Sequence, residues 1–94
     1  MAATIEELRR EIDRIDSLIV ENLAKRRGIV LELAGIKKEN GIKIFDPSRE
    51  KELKERIRRK ANDSGLDENF VLKLYDIILE KSKKEQENEN LRQG

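Results

Sequence analysis

Two basic residues interrupt an apolar stripe in the first half of this 94-residue sequence. Positions 23, 26, 30, 33 and 37 share one face of a helix, and two of them are Arg26 and Lys37. Eleven residues separate these two, which places them about 16 Å apart and within roughly 20° of the same helix face. Each is a candidate for binding a ligand. A lone basic residue can instead extend its charged end to solvent, and that alternative stays open.

Two later apolar stripes also end in polar residues. One extends back to Glu50, with Arg49 beside it, and the stripe of residues 70–78 continues into Ser82 and Gln86. Because a buried charge is costly unless it is paired or bound to a ligand, separate polar interruptions would each be unfavourable. One polar pocket shared by three helices explains all of them.

The side chains of this predicted pocket carry more positive than negative charge, and the planar fork of arginine suits carboxylates. The expected ligand is therefore a small anion with more than one carboxylate. The sequence contains no histidine and no cysteine, and Ser82 has no obvious activating partner. An enzyme with this site is expected to act by positioning and electrostatics, without a cofactor or a metal.

The elements that must position these residues are predicted to be three helices, in an all-α fold. They cover roughly residues 4–39, 47–63 and 67–88. Asp46 is a candidate N-cap, with Pro47 at the first helical position, and Asp67 can cap the third helix. Gly41 and Gly65 follow the first and second helices, as expected of helix ends.

The first helix is too long for a small globule. About 36 residues make a rod of roughly 54 Å, whereas a compact chain of this size has a radius of gyration of about 13 Å. Pairing with a second copy would cover it, so we expect an intertwined helical-bundle homodimer. A plain coiled coil agrees less well, because the stripe drifts and contains charges. Residues 1–94 are interpreted as a single domain with a frayed tail at about 88–94.

The composition argues against several classes of partner. The 21 basic and 20 acidic side chains nearly cancel, whereas a nucleic-acid binder usually has a basic excess. No apolar run is long enough to cross a membrane. We therefore expect a cytoplasmic protein without a nucleic-acid or membrane partner. Basic residues outside the predicted pocket are interpreted as solvated side chains paired with nearby glutamates, namely Lys51, Lys54, Arg58, Arg59, Lys83 and Lys84.

Four motifs, in order and with matching spacing, resemble the small all-helical chorismate mutases of the AroQ class. They are LRREIDRID, LAKRRGIVLELAGIKK, DPSRE and IILEKSKKEQ, and the resemblance covers about residues 5–88. It implies an isomerase of the shikimate pathway that rearranges chorismate to prephenate in aromatic amino acid biosynthesis. Family members work as homodimers and need no cofactor.

The resemblance also implies a set of site residues. By position these are Arg9, Arg26, Lys37, Asp46, Arg49, Glu50, Ser82 and Gln86. The three arginines are expected to orient the two substrate carboxylates, assisted by Ser82. Lys37 and Gln86 are expected to donate hydrogen bonds to the ether oxygen of the breaking bond. Glu50, with the backbone near Asp46, is expected to hold the ring hydroxyl.

Arg9 is expected to act in the partner's site. Seventeen residues separate Arg9 from Arg26, or about 25 Å and roughly 100° around a straight helix. If Arg9 contacts the ligand, as the resemblance implies, it must come from a second copy.

Simpler structural interpretations stay open for single residues. Arg9 can be a surface charge, and Asp46 can act mainly as a helix cap. Arg49 can pair with Glu50 or with a neighbouring acid. Ser82 can be a small residue between packed helices, and Gln86 can lie at a solvated helix end.

Other functions also stay open for the whole chain. A lyase of the same fold that removes pyruvate from isochorismate could use a similar pocket. A non-enzymatic helical interaction module would also have long amphipathic helices, but it would not need polar interruptions in all three. A nucleic-acid binder agrees least with the charge balance.

Overall fold

The computed structural model describes residues 2–92 as three α-helices. They are α1 (Ile5–Glu39), α2 (Pro47–Asp63) and α3 (Glu68–Arg92). Residues 2–92 contain no β-strand. The prediction of an all-α chain with one very long helix is confirmed.

Local hydrogen bonds explain where α1 and α2 begin. The Thr4 hydroxyl accepts a hydrogen bond from the backbone N–H of Glu7 at 3.1 Å, and the Glu7 carboxylate accepts one from the Thr4 backbone N–H at 3.3 Å. This reciprocal pair satisfies two N–H groups at the start of α1. At α2, the Asp46 carboxylate accepts from the backbone N–H of Arg49 at 3.1 Å, and Pro47 follows the cap.

The third helix continues beyond the predicted end at residue 88. It runs to Arg92, while Gln93 and Gly94 of the predicted tail lie outside the described residues. The Lys38 ammonium of α1 donates a hydrogen bond to the backbone carbonyl of Asn90 at 2.8 Å, and Asn90 is half-buried. This tertiary contact supports a segment whose composition alone suggested fraying.

Helix α3 packs against both other helices. It runs parallel to α1, because Arg26 contacts Ser82 and, further along both helices, Lys38 contacts Asn90. It runs antiparallel to α2, as two sets of ion pairs show. These pairs are Lys83 with Glu50 near the start of α2, and Glu68 with Arg58 near its end.

Helices α1 and α2 do not pack directly on each other within the described chain. They are joined by residues 40–46 and held apart by their separate contacts with α3. This arrangement leaves an open space between the second half of α1 and the first turns of α2, and most of the predicted site residues line it.

A single copy of the chain leaves most of its apolar surface uncovered. Residues 2–25 are all exposed, and the described apolar residues that are fully buried are Ala34 and Ala61. The molecule is 59 Å long, with a radius of gyration of 17.1 Å. A compact chain of this length would have a radius of about 13 Å.

Large apolar side chains exposed on the first half of α1 are spaced by three or four residues. They include Ile5, Leu8, Ile12, Ile15, Ile19 and Leu23. They form the stripe predicted from the sequence, and α3 does not cover it. None of the helices in the described range is long and apolar enough to cross a membrane.

Candidate active site

A cavity of about 490 Å³ lies between α1, the 40–46 connection, the start of α2 and the second half of α3. Pockets for small molecules are typically about 300–1,000 Å³ in volume. Seven of the eight predicted site residues line this cavity: Arg26, Lys37, Asp46, Arg49, Glu50, Ser82 and Gln86. The eighth, Arg9, is exposed near the start of α1 and is not among the lining residues.

Arg26 is held by Ser82. Its guanidinium donates a hydrogen bond to the Ser82 hydroxyl at 2.6 Å, and this hydroxyl donates to the backbone carbonyl of Ile78 at 2.9 Å. The Ser82 hydroxyl therefore donates its hydrogen bond within α3, and the hydroxyl oxygen accepts from Arg26 and orients its guanidinium. Since a guanidinium has five N–H donors, Arg26 keeps several for a ligand. The predicted contact between Ser82 and a carboxylate stays a prediction.

Lys37 is held by the connection between α1 and α2. Its ammonium donates a hydrogen bond to the backbone carbonyl of Ile44 at 2.9 Å, and its side chain is half-buried. An ammonium has three donors, so this contact leaves two available for a ligand. The carbonyl thereby holds a cation at the cavity wall before any ligand arrives.

Gln86 is the most buried polar residue of the described chain, with 6% of its surface exposed. Its side-chain carbonyl oxygen is buried without a hydrogen-bond partner. An unpaired buried polar group costs roughly 1–3 kcal/mol. Because this oxygen is an acceptor, only a hydrogen-bond donor could satisfy it, whereas the amide NH₂ of Gln86 is the group that can donate to a ligand. The alternative that Gln86 lies at a solvated helix end is wrong.

Asp46 and Arg49 make the local contacts that their simpler interpretations predicted. The Asp46 carboxylate caps α2, as described above, and the Arg49 guanidinium pairs with the neighbouring acid Glu52 at 3.2 Å. Both side chains of this ion pair are exposed, and such surface pairs contribute only about 0–1 kcal/mol. Arg49 can therefore exchange Glu52 for an anionic ligand at little cost.

Glu50 is contacted by two lysines from different helices. The Lys54 ammonium lies 3.5 Å from one carboxylate oxygen, and the Lys83 ammonium lies 3.8 Å from the other. Lys83 also lies 4.6 Å above the centre of the Phe45 ring. The Lys54 ammonium also donates a hydrogen bond to the Asp76 carboxylate at 2.9 Å, and this bond raises the pKa of Lys54.

The position of Lys83 corrects one interpretation made from the sequence. The sequence predicts Lys83 to be a solvated side chain paired with a nearby glutamate. The pairing is present, with Glu80 at 3.6 Å, but the side chain is not simply solvated. It also lines the cavity, together with Phe45. Its place on the same face of α3 as residues 79, 82 and 86 was the available signal. No periodic pattern marked Phe45, because it lies in the connection between helices.

The cavity wall is positively charged overall. Its basic residues are Lys25, Arg26, Lys37, Arg49 and Lys83, and its acidic residues are Asp46 and Glu50. Apolar side chains complete it, including Val30, Leu33, Leu53 and Leu79. A small anion with an apolar body and one hydrogen-bond donor matches this lining.

Replacing the buried amide of Gln86 should stabilise the fold. We expect Gln86→Met to raise the free energy of unfolding by about 1 kcal/mol, because an unpaired buried carbonyl is removed and the volume is kept. Chemical denaturation at a fixed protein concentration measures this. Glu87→Met, at the adjacent exposed position, serves as the control and should change stability by less than about 0.5 kcal/mol. A Gln86→Met variant less stable than the wild type would show that the amide makes a structural contact.

Comparisons with known proteins identify the family. Residues 8–87 match the family described as chorismate mutase type II. The chain is 37% identical over 83 residues to a chorismate mutase of Methanocaldococcus jannaschii, which covers 88% of this chain and 84% of the relative. It is 33% identical over 75 residues to a 4-amino-4-deoxychorismate mutase of Streptomyces venezuelae, over 80% of this chain and 73% of the relative.

A longer relative matches in one part only. A bifunctional chorismate mutase/prephenate dehydratase of Buchnera aphidicola is 39% identical over 74 residues, which are 79% of this chain and 19% of the relative. The family match extends from the first turn of α1 to residue 87 in α3 and includes every predicted site residue, from Arg9 to Gln86. The chain therefore belongs to the chorismate mutase type II family.

Proposed function

We propose that this protein is a chorismate mutase, an isomerase that rearranges chorismate to prephenate on the route to phenylalanine and tyrosine. The observation that carries the proposal is the convergence of seven predicted site residues on one positively charged cavity. The substrate has two carboxylates, one ring hydroxyl and an apolar body, which match this lining. The reaction is a rearrangement within one molecule and forms no covalent intermediate with the protein.

The arginines select the reactive shape of the substrate. The rearrangement requires a compact, chair-like conformation in which the two ends of the new C–C bond approach each other. Arg26 and Arg49 bind the carboxylates and hold this conformation. The substrate therefore loses its conformational freedom when it binds, and the free energy of binding offsets this loss before the reaction step. Because Ser82 already orients Arg26, little further ordering is needed when the substrate binds.

Lys37 and Gln86 stabilise the breaking bond. As the C–O bond lengthens, negative charge grows on the ether oxygen, and a preorganised donor lowers the barrier. Lys37, held by the Ile44 carbonyl, supplies a cation, and Gln86 supplies a neutral donor from a buried position. A rate enhancement of about 10⁶ would need roughly 8 kcal/mol from positioning and electrostatics together.

Glu50 accepts a hydrogen bond from the ring hydroxyl, at the end of the cavity near the start of α2. The backbone near Asp46 lies beside it and completes this part of the site. A second candidate substrate has an amino group in place of this hydroxyl, as the name of the Streptomyces relative states.

Two copies of the chain form an intertwined homodimer in this proposal, with Arg9 of each copy in the other's site. Arg9 and Arg26 lie on one continuous helix, about 25 Å apart along its axis. Arg9 therefore cannot reach the cavity of its own chain. The uncovered stripe on the first half of α1 supports the pairing, because burying it contributes about 25 cal/mol per Å² of apolar surface. A two-fold axis would create two equivalent sites.

The activity and the role of Lys37 can be measured together. We expect the purified wild-type protein to convert chorismate to prephenate in a spectrophotometric assay. Lys37→Ala should lose roughly 3 kcal/mol of transition-state stabilisation, about a hundredfold in kcat/KM, because the cation at the ether oxygen is removed. Release of pyruvate from isochorismate, without turnover of chorismate, would identify a lyase instead.

Lys38→Ala is the matched control for Lys37. Lys38 is the next residue, is exposed, and contacts the Asn90 carbonyl outside the cavity. It should keep kcat/KM within about threefold of the wild type, a change of less than 1 kcal/mol. A Lys37→Ala variant as active as this control would exclude the proposed role of Lys37.

The pH dependence of a variant tests whether Gln86 donates a hydrogen bond to the ether oxygen. The Gln86 amide does not titrate, whereas a glutamic acid at this position is a donor only when protonated. Gln86→Glu should therefore shift the pH profile of kcat/KM toward acid, with activity falling as pH rises through the pKa of the new carboxyl. A profile that overlays that of the wild type would place Gln86 away from the ether oxygen.

Subunit complementation tests Arg9. Arg9→Ala and Lys37→Ala homodimers should each be strongly impaired. When the two variants are mixed under conditions that allow exchange, each heterodimer contains one site with both residues intact. Activity should therefore recover. Heterodimers that form, as shown by differently tagged chains, but stay inactive would contradict a role in trans.

A further inference from the structure

One end of the cavity carries a basic residue, Lys83, to which the proposed mechanism gives no role. Lys83 reaches from α3 across the face of Phe45 and lies 3.8 Å from a carboxylate oxygen of Glu50. All three side chains line the cavity. Stacking of an ammonium over an aromatic ring is attractive, because the face of the ring is electron-rich. The Phe45 ring therefore helps to hold the Lys83 charge at the cavity.

The two lysines next to Glu50 compensate its charge. Lys54 contacts one of its oxygens and Lys83 contacts the other. Each lysine also has a second acidic partner, Asp76 for Lys54 and Glu80 for Lys83. These partners are 58% and 59% exposed, against 23% for Glu50, so water screens them more strongly. Glu50 therefore offers the cavity a hydrogen-bond acceptor whose negative charge is already paired.

An acceptor of this kind distinguishes two donors that have similar size. A hydroxyl donates one proton to the carboxylate and carries no charge. A protonated amino group also donates, but it places a positive charge beside Lys83. It does so in a cavity lined by five basic and two acidic residues. The Lys83 ammonium and a protonated amino group repel each other, and this repulsion is stronger where less water surrounds the two charges.

We infer, on the basis of the proposed function, that Lys83 is a specificity-determining residue that makes the site accept a ring hydroxyl and reject a protonated amino group at the same position. Lys83 acts by its own positive charge and by its ion pair with Glu50. The preferred substrate is accordingly chorismate, and 4-amino-4-deoxychorismate is excluded by charge.

The experiment compares kcat/KM for the two substrates at pH 7. The wild type should prefer chorismate. In Lys83→Met, which keeps an unbranched apolar side chain over Phe45 and removes the charge, the relative kcat/KM for the amino substrate should rise about tenfold. That change corresponds to roughly 1.4 kcal/mol. Lys83→Gln provides the same comparison with a polar neutral side chain.

Two controls separate charge from structure. Lys83→Arg keeps the positive charge and should keep the substrate preference of the wild type. Lys84→Met makes the same chemical change at the next residue, which is exposed and is not among the cavity-lining residues, and should also leave the preference unchanged.

The outcomes distinguish this inference from the proposed function. An active wild type whose substrate preference does not change in Lys83→Met and Lys83→Gln would overturn the inference alone. So would a wild type that prefers the amino substrate. A wild type that is folded but inactive on both substrates would overturn the proposed function, and with it the inference.

Discussion

Mutual repulsion among basic side chains around one small cavity is the constraint on which the rest of this structure depends. Five such residues line the space between α1 and α2. A cation turned away from water needs a hydrogen-bond acceptor, and the fold supplies one inside the cavity for three of the five. Ser82 holds Arg26, the Ile44 carbonyl holds Lys37, and Glu50 pairs with Lys83. An anionic ligand, as proposed, would relieve the remaining repulsion.

Helix α3 makes this arrangement possible, because it is the common neighbour of the other two helices. It contributes Ser82 toward α1 and Lys83 toward α2, from consecutive positions. Successive residues of a helix point about 100° apart, so one turn of α3 can serve both walls of the cavity. Gln86, one turn further on, adds the buried amide between them.

The sequence predicted the helices and the stripe positions that line the cavity because both depend on helical spacing. Arg26, Lys37 and Gln86 continue apolar stripes, and each lines the cavity. Lys83 was not predicted as a cavity residue because its place on α3 is also compatible with a solvated side chain, and its contacts with Phe45 and Glu50 decide between the two. The end of α3 was also missed, since a hydrogen bond from Lys38 on another helix supports it. Tertiary contacts of this kind leave no mark in local sequence.

We propose that this cavity, completed by a second copy of the chain, binds the rearranging substrate. A structure of the protein with a bicyclic dicarboxylate that mimics the transition state would show this binding. The ligand carboxylates should contact Arg26 and Arg9 of different copies, and Lys37 and Gln86 should donate to its ether oxygen. A ligand bound outside this cavity, or held within it by residues of one copy alone, would overturn the proposal.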